Sequence, residues 1–160
     1  MKGSVAWLNY LRDSGVRYSH SVHPWAETAM ETADAERILA HEFAKCVVYF
    51  CETGFGMAVI PADQFVDVAG LARLLGATFL RLADEAEMAE LFPNCELGAM
   101  PPFGNVYNMP VVVDREVAAR KFIAFAIGSH RDVVRMAFAD YDDIVRPLIG
   151  SIVAPVAAVA

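Results

Sequence analysis

Cys46-Val47-Val48-Tyr49-Phe50-Cys51 is followed, after a turn from Glu52 to Gly56, by Met57-Ala58-Val59-Ile60 and then Pro61. Both runs are continuously apolar, and the first has β-branched and aromatic residues at its centre, a composition that is enriched in strands. Two such runs with a short turn between them predict a hairpin of buried strands. We therefore expect a fold built around this hairpin.

Helices and further strands are predicted on both sides of the hairpin. Thr28 with Glu31, and Asp84 with Glu87, have the spacing of a capping box, which marks a helix start. Apolar periodicity predicts helices over residues 5–12, 29–39, 63–75, 85–91 and 133–148, and strands over residues 77–82, 111–113 and 122–127. Because the strands come mostly in adjacent pairs with helices grouped between them, the pattern favours an α+β fold with a mixed sheet over a doubly wound parallel sheet.

Length and charge limit the class of protein. The 160 residues are 56% hydrophobic, which predicts one domain over residues 1–160, with residues 151–160 as a C-terminal tail. Thirteen Lys and Arg against twenty Asp and Glu give a net charge of −7, which opposes loose binding to nucleic acid. DNA is not an expected partner, since neither a helix-turn-helix nor a continuous basic helix is present. A local basic site stays open, because five cations fall in one stretch: Arg115, Arg120, Lys121, Arg131 and Arg135.

Cysteine usage and the two termini predict a cytoplasmic protein. Cys46, Cys51 and Cys95 are an odd number of cysteines, which favours buried thiols in a reducing compartment over a disulfide framework. The N-terminal residues lack the pattern of a signal peptide, and the apolar stretch 151–160 is too short to cross a bilayer. No membrane partner is expected, and the sequence assigns no oligomeric state.

The stretch Gly98-Ala99-Met100-Pro101-Pro102-Phe103-Gly104 lies in a longer segment, residues 93–109, without helical or strand periodicity. Connections of this length in compact domains are usually functional or disordered. The segment is too apolar to stay solvated, so we expect it to pack as a shaped wall. Its amides could be presented to a developing oxyanion, although a merely structural Pro/Gly-rich connection fits the composition equally well.

Lys45 stands at the start of the first apolar run, between Phe43-Ala44 and Cys46. One interpretation is that its side chain reaches along the apolar surface into solvent. The other is that its ammonium is held near a phosphate, carboxylate or carbonyl oxygen of a ligand. Spacing alone favours the first interpretation.

Other chemical motifs are weak. His20 and His23 are not completed by cysteines or carboxylates at ligand spacing, so no metal is expected. Ser129 and His130 are neighbours in sequence, which rarely form a nucleophile and base pair, and no Gly-x-Ser-x-Gly elbow exists. His130 remains a candidate for ligand contact at the end of a strand. Because a phosphate loop and a dinucleotide fingerprint are both missing, no cofactor is expected.

Several short motifs occur in a fixed order along the chain: Val22-His23-Pro24, Ala26-Glu27-Thr28, Ala44-Lys45, Ala58-Val59-Ile60-Pro61-Ala62-Asp63, Leu74-Leu75-Gly76, Gly98 to Gly104, Val111-Val112-Val113-Asp114 and Ala126-Ile127-Gly128. Together they resemble the YbaK and prolyl-tRNA-synthetase-associated domain family, whose members hydrolyse amino acids wrongly attached to tRNA. Gly98 to Pro102 fits the Gly-x-x-x-Pro loop of that family. The resemblance spans nearly the whole chain and implies a mixed, strongly curved, barrel-like sheet flanked by helices.

The resemblance also implies a site and its chemistry. Lys45 matches the family's strand lysine near the 3′ end of the tRNA, and the amides from Gly98 to Pro102 match those that polarise the ester carbonyl. The substrate's own ribose hydroxyl is thought to help activate water, which would explain the absence of a catalytic triad. The implied catalytic residues are Lys45, Gly98, Ala99, Met100 and Pro102. The implied substrate-binding residues are His23, Thr28, Cys46, Pro101, Phe103, Gly104, Gly128, Ser129 and His130.

The loop departs from the family pattern at Ala99 and Pro101, where relatives often carry a second small residue and then Ser or Thr. Pro101 removes one amide donor. An acidic residue that some relatives place after the late glycine has its nearest counterpart in Asp132, one position out of register. The leading hypothesis is a free-standing hydrolase that deacylates the 3′ end of a mischarged aminoacyl-tRNA. The alternative is a non-catalytic regulatory domain that binds a ligand or tRNA.

Overall fold

The structure is a computed structural model that describes residues 3–154. In this range the α-helices are α1 (Val5–Asp13), α2 (Ala29–Ala35), α3 (Val68–Leu75), α4 (Glu85–Leu91), α5 (Arg115–Ala118) and α6 (Phe138–Val145). Two short 3-10 helices span Ala40–Glu42 and Gly104–Tyr107. The strands are β1 (Tyr18–Val22), β2 (Ala44–Cys51), β3 (Gly54–Pro61), β4 (Phe65–Val66), β5 (Leu80–Leu82), β6 (Val111–Asp114), β7 (Phe122–Ala126), β8 (Asp132–Ala137), β9 (Leu148–Gly150) and β10 (Val153–Ala154).

The predicted hairpin is present and is the centre of the largest sheet. β2 and β3 pair antiparallel, with Lys45 opposite Ile60 and Tyr49 opposite Gly56. The sheet has five strands in the order β5-β2-β3-β6-β9, in which β5 pairs antiparallel with β2, and β6 and β9 continue as parallel strands. Gly56 suits its position, because the ring of Tyr49 occupies the space that a Cβ would need.

A second, three-stranded sheet completes the core. It is antiparallel in the order β1-β8-β7, while β4 and β10 pair separately. The main hydrophobic cluster joins Val59 and Val113 of the larger sheet to Phe125 and Val134 of the smaller one. The core therefore lies between the two sheets.

The α+β class with a mixed sheet is confirmed, but the barrel-like curvature is wrong. The strand order of the five-stranded sheet is linear, so its end strands β5 and β9 do not pair with each other. No sheet of the described residues is closed or strongly curled. The physical reason is that the strands are divided among three sheets, whose apolar faces are buried by packing on one another rather than by closure.

The helix predicted over residues 133–148 is wrong in its first part, because Asp132–Ala137 is β8 and α6 begins only at Phe138. Val133 packs into a small cluster with Ala33 of α2, whereas Val134 packs into the main core. A strand that is covered on both faces has consecutive apolar residues rather than an alternating pattern. Such a run resembles the apolar spacing of a helix.

Other elements are present with displaced ends. α2 stops at Ala35 rather than near residue 39, because Arg37 takes a left-handed conformation with φ 57°. α3 starts at Val68, since Asp67 is its N-cap and accepts a hydrogen bond from the Gly70 amide. The strand predicted over residues 77–82 is confined to Leu80–Leu82.

Both predicted capping motifs mark helix starts. The Thr28 hydroxyl accepts from the Glu31 amide at 3.0 Å at the start of α2. At the start of α4 the Asp84 carboxylate accepts from the Glu87 amide, and the Glu87 carboxylate accepts from the Asp84 amide. These helix starts are confirmed.

The chain after residue 150 contributes to the fold. Ile152 is fully buried, and Val153–Ala154 forms β10 against β4. Residues 155–160 of the predicted tail lie outside the described residues. Among the residues described, no helix combines the length and the apolar character needed to cross a membrane.

Candidate functional site

A narrow cleft lies between the start of β2, the helix α2 and the loop that begins at Gly98. Its volume is about 10 Å³, which is room for about one water molecule. The lining residues are Thr28, Ala29, Thr32, Phe43, Ala44, Lys45, Cys46, Gly98, Met100, Ala126 and His130. Six of the site residues predicted from the sequence therefore meet in one place: Thr28, Lys45, Cys46, Gly98, Met100 and His130.

Four hydrogen bonds fasten the loop to the turn between β7 and β8. The Glu96 amide donates to the Gly128 carbonyl at 2.9 Å, and the Gly128 amide donates to the Ala99 carbonyl at 2.7 Å. The His130 amide donates to the Glu96 carboxylate at 2.7 Å. His130 Nε2 lies 2.6 Å from the Leu97 carbonyl, which can only accept, so Nε2 carries a proton. Residues 96–99 are thus held beside the cleft.

Gly128 is required where this turn meets the N-terminal part of the chain. Its φ is 84°, and a Cβ would lie 2.5 Å from the Gly3 carbonyl oxygen and 3.1 Å from the Trp7 ring. Glycine takes such a conformation without a steric penalty. Glycine at this position allows the turn to approach Gly3 and Trp7 closely. Its N–H and C=O groups then bind Ala99 and Glu96 of the loop.

Two amides of the loop are available to a ligand. The Ala99 amide already donates to the Glu96 carbonyl at 3.0 Å, and Pro101 and Pro102 have no N–H. The amides of Gly98 and Met100 make no hydrogen bond within residues 3–154, although both residues line the cleft. Backbone donors of this kind can stabilise negative charge on a substrate oxygen.

Lys45, a positively charged residue, also lines the cleft. The residue is half-buried on β2, and its Nζ lies 5.2 Å from the centre of the Phe65 ring. Burial lowers the pKa of Lys45, and the charge of Asp63 partly opposes this change. No carboxylate of the described residues lies within 4 Å of the ammonium. A half-buried ammonium without an ion pair favours a ligand that supplies a charged or strongly polar oxygen.

Cys46 contributes wall surface rather than a nucleophile. Burial, together with the neighbouring Cys95, raises the pKa of the Cys46 thiol. Burial also raises the pKa of Cys95, whose sulfur accepts from Trp7 Nε1 at 3.3 Å. A thiol with a raised pKa has little thiolate at neutral pH. Cys46, Cys51 and Cys95 are all free thiols.

Some residues predicted for the site lie outside the cleft lining. His23 is buried, with Nδ1 donating to the Pro24 carbonyl at 2.7 Å and Nε2 3.9 Å from the Glu36 carboxylate. Ser129 lies in the turn between β7 and β8, where its hydroxyl accepts a hydrogen bond from the Arg131 amide. Ala99 and Pro101 are buried within the loop.

The end of the loop lies in the hydrophobic core. The Pro102 carbonyl accepts from the buried Tyr141 hydroxyl at 2.5 Å. Phe103 is fully buried, and its ring lies 5.6 Å from that of Phe125 and 5.5 Å from that of Tyr141. At Gly104 a Cβ would lie 2.7 Å from the Val111 side chain. These residues shape the loop from behind and do not line the cleft.

Sequence reasoning missed several residues of the site. The missed lining residues are Ala29, Thr32, Phe43, Ala44 and Ala126. Thr32 could have been found, because it follows Thr28 by four positions and so shares one helix face with it. Glu96, which fastens the loop through both its amide and its carboxylate, carries no local signal.

The sequence model of the aminoacyl-tRNA editing domain matches residues 23–144 of this chain, a range that contains every residue of the cleft. The chain belongs to the aminoacyl-tRNA editing domain family. The curated relatives of this editing domain include a proline--tRNA ligase of Xanthomonas oryzae pv. oryzae (strain MAFF 311018), which is 31% identical over 107 residues, covering 67% of this chain and 18% of that one.

A second relative is the multifunctional Ser/Thr-tRNA deacylase ProXp-y of Escherichia coli (strain K12), 36% identical over 92 residues. That match covers 57% of this chain and 54% of the relative. The chain thus spans under a fifth of the ligase and about half of the deacylase. Among solved structures, a candidate trans-editing enzyme for prolyl tRNA synthetase superposes with a TM-score of 0.80 at 20% identity, covering 92% of this chain and 94% of that one. At this identity the similarity shows a shared fold.

Proposed function

We propose that this editing-domain protein is a free-standing aminoacyl-tRNA deacylase, which hydrolyses the ester bond of a mischarged tRNA in trans. The observation that carries the proposal is that Lys45, whose ammonium has no ion pair in the described residues, lines the same cleft as Gly98 and Met100, whose amides are unbonded there. Ester hydrolysis passes through a tetrahedral oxyanion, and such donors stabilise it. The deacylase named among the relatives, and the shared fold with a candidate trans-editing enzyme, support this function.

The reaction cleaves the bond between the amino acid and the terminal ribose. Water adds to the ester carbonyl carbon, the bond from that carbon to the ribose oxygen breaks, and the ribose oxygen takes up a proton. The products are the free amino acid and a tRNA with its hydroxyl restored. In the proposed complex the amides of Gly98 and Met100 donate to the carbonyl oxygen as it gains charge. Loss of one such donor raises the barrier by roughly 3 kcal/mol.

The protein supplies few groups that could act as a general base. No Asp or Glu is among the residues that line the cleft in the described range, and His130 Nε2 donates a hydrogen bond to the Leu97 carbonyl, which leaves Nδ1 as the one acceptor of that ring. We assign the activation of water to the neighbouring hydroxyl of the substrate's own terminal ribose. Lys45 then neutralises a phosphate or orients the terminal adenosine.

The size of the cleft favours a small amino acid. Its volume of about 10 Å³ leaves little room between Thr28, Thr32 and Met100. Any substrate has to widen the cleft, and a long or branched side chain would have to displace these walls furthest; Thr32 lies on α2 and Thr28 is the N-cap of that helix. Two threonine side chains beside the small residues Ala29, Ala44 and Ala126 suit a short side chain with or without a hydroxyl group.

A panel of tRNAs charged with different amino acids tests the proposal. The wild-type protein is expected to release amino acids with short side chains faster than larger ones. Lys45→Ala is expected to lower the rate by about 100-fold or more, the usual effect of losing a group that holds the substrate in the reactive position. Thermal unfolding should be little changed, because the lysine is only half-buried. Arg73→Ala, which removes an exposed cation on α3, is the matched control and should keep full activity.

Two outcomes would oppose the proposal in different ways. Full activity in Lys45→Ala would remove Lys45 from the site. Absence of turnover on every tRNA, with tRNA or small-molecule binding retained, would favour a non-catalytic regulatory domain.

A further inference from the structure

A second pocket, with a volume of about 410 Å³, collects positive charge in a protein whose net charge is −7. Its lining residues are Arg37, Ile38, Glu42, Arg120, Lys121, Phe122, Ala124 and Arg135. Four of these are cations and one is an acid. The cations come from three separate parts of the chain, so the pocket is assembled by the fold rather than by one basic segment.

The pairing of β7 with β8 explains how the cations meet. Arg135 on β8 lies opposite Ala124 on β7, and Arg120 and Lys121 immediately precede β7. Arg37 reaches the same place from the end of α2. Three of the five cations that cluster late in the sequence are thus brought together, while the other two do not line the pocket.

Most of this charge is not neutralised by the protein. Arg120 lies 3.3 Å from the Glu42 carboxylate. Within residues 3–154, Arg37, Lys121 and Arg135 have no carboxylate within 4 Å. Three unpaired cations around one pocket repel each other, and an anionic ligand would offset that repulsion.

An exposed aromatic ring indicates which anion the pocket fits. Phe122 is 41% exposed, with the Arg135 guanidinium 4.5 Å and the Lys121 ammonium 5.7 Å from the centre of its ring. Aromatic rings beside cations are typical of sites for single-stranded nucleic acid, where bases stack on rings and cations follow the phosphates. An adjoining groove shares Phe122 and Arg135 and adds Arg17, together with the single acid Asp140, so the basic surface is elongated. A free phosphate would require neither an exposed aromatic ring nor an elongated basic surface.

The pocket and the cleft lie on the same face of β7. Ala124 lines the pocket and Ala126 lines the cleft, and residues two apart along a strand face the same side. The helix α2 has Thr32 towards the cleft and is followed by Arg37 at the pocket. Its seven residues are about 10 Å long. A strand whose terminal nucleotide lies at the mouth of the cleft, with its ester directed into the cleft, can therefore reach the pocket within a few nucleotides.

We propose that the pocket formed by Arg37, Lys121, Phe122 and Arg135 binds the single-stranded 3′ segment of the tRNA, just before its terminal nucleotide. The cations contact phosphates and the Phe122 ring contacts a base. This assignment rests on the proposed function, since it takes the cleft as the place of the ester at the end of the strand.

Arg37→Gly allows a clean test, because it removes a charge without straining the backbone. Arg37 follows α2 in a left-handed conformation, with φ 57°, where glycine is the preferred residue. Arg146 ends α6 with φ 51° and does not line the pocket, so Arg146→Gly is a control with the same change of charge and backbone. Arg37→Gly is compared with Arg146→Gly, and the double variant Arg37→Gly with Arg135→Ala is compared with Arg146→Gly combined with Arg73→Ala, which removes two charges outside the pocket.

Affinity for unacylated tRNA is measured against salt concentration. Two lost phosphate contacts on a single strand lower the slope of log affinity against log salt by about 1.4 and weaken binding about tenfold at 0.15 M salt. We expect these changes in the double variant and less than a twofold change in Arg146→Gly. In deacylation the double variant should have a raised KM and an unchanged kcat, and should hydrolyse aminoacyl-adenosine, which lacks the preceding nucleotides, at the wild-type rate.

Equal affinity and equal salt dependence in the wild type and the double variant would overturn the proposal. Binding of inorganic phosphate to the pocket, without binding of tRNA, would overturn it in favour of a small-anion site. Failure of the proposed function is distinguishable from failure of this proposal. If the wild-type protein had no turnover on any tRNA, the binding measurement would still report whether the pocket variants lose affinity for RNA.

Discussion

The loop from Glu96 to Gly104 divides into two halves that differ in burial and in what their backbone groups contact. In the first half, residues 96–100, Leu97 and Gly98 are exposed, and the amides of Leu97, Gly98 and Met100 are unbonded within the described residues. In the second half, residues 101–104, every residue is buried, and the Pro102 carbonyl accepts from Tyr141. One half faces a possible substrate, and the other packs into the core.

The difference shows how one Pro/Gly-rich segment serves both stability and chemistry. The first half is held from outside, by four hydrogen bonds to the turn at Gly128 and His130. The second half is held by the aromatic rings around Phe103. Amides that donate to a substrate cannot also donate to another group of the protein. Their position is therefore fixed by the hydrogen bonds of neighbouring residues. Substitutions in the two halves should therefore affect different measurements.

The largest effect is expected for Phe103→Ala in the second half. Removal of a fully buried ring that packs on Trp7, Phe125 and Tyr141 leaves a cavity. We expect a loss of about 3–5 kcal/mol in the free energy of unfolding, measured by denaturant titration. Deacylation per folded molecule at low temperature should fall much less than stability does.

A ring outside the core provides the control for this substitution. Phe79 is 49% exposed, so Phe79→Ala should change the free energy of unfolding by about 0.5 kcal/mol or less. If Phe103→Ala lost all activity while remaining folded, the second half would belong to the site and the distinction between the halves would be wrong.

A smaller effect, mainly on catalysis rather than on stability, is expected for Gly98→Ala in the first half. Gly98 has φ 86°, and a Cβ would lie at ordinary contact distance, 3.5 Å, from the His130 ring. Alanine in this conformation costs about 1–2 kcal/mol. Relief of that strain would turn the amides of Gly98 and Met100 away from the cleft. We expect kcat to fall by about tenfold, the equivalent of 1.4 kcal/mol.

Gly76→Ala separates backbone strain from catalysis. Gly76 ends α3 with φ 66°, and a Cβ there would meet nothing within 4 Å. The substitution should cost similar stability, measured by thermal unfolding, and leave kcat unchanged. Equal losses of kcat in the two variants would show that Gly98→Ala acts only through stability.

Local signals in the sequence predicted much of the fold. The hairpin of β2 and β3 follows from two adjacent apolar runs, and the starts of α2 and α4 follow from their capping residues. β1 was missed because four of its five residues, Tyr18–Val22, are exposed and show no apolar alternation. Its only strand partner in the described residues is β8, more than one hundred positions away, so nothing near it in sequence reveals the pairing.

The site was predictable in part, and mainly through the family resemblance. Spacing alone favoured a solvent-directed Lys45, and the structure places Lys45 in the lining of the cleft with Gly98 and Met100, with its ammonium beside the Phe65 ring. The bonds that fix the loop join Glu96 and Leu97 to His130, over 33 and 34 positions. Contacts of this range depend on tertiary packing, which local patterns do not encode.

The smallest effect is expected in the pH dependence of deacylation. This effect depends on the cleft and not on the second half of the loop. Burial lowers the pKa of Lys45 and the charge of Asp63 partly restores it. Activity that needs the ammonium is present below this pKa and is lost as the pH rises through it. Asp63→Asn removes the restoring charge, so the alkaline limb of kcat/KM should move to lower pH, by less than about one unit for a charge at a partly exposed site.

Asp143→Asn is the control. It makes the same change of charge at an exposed site and should leave the alkaline limb of kcat/KM in place. Rates are taken after subtraction of spontaneous ester hydrolysis at each pH. A limb that moves to higher pH in Asp63→Asn would mean that a group other than the Lys45 ammonium limits the reaction.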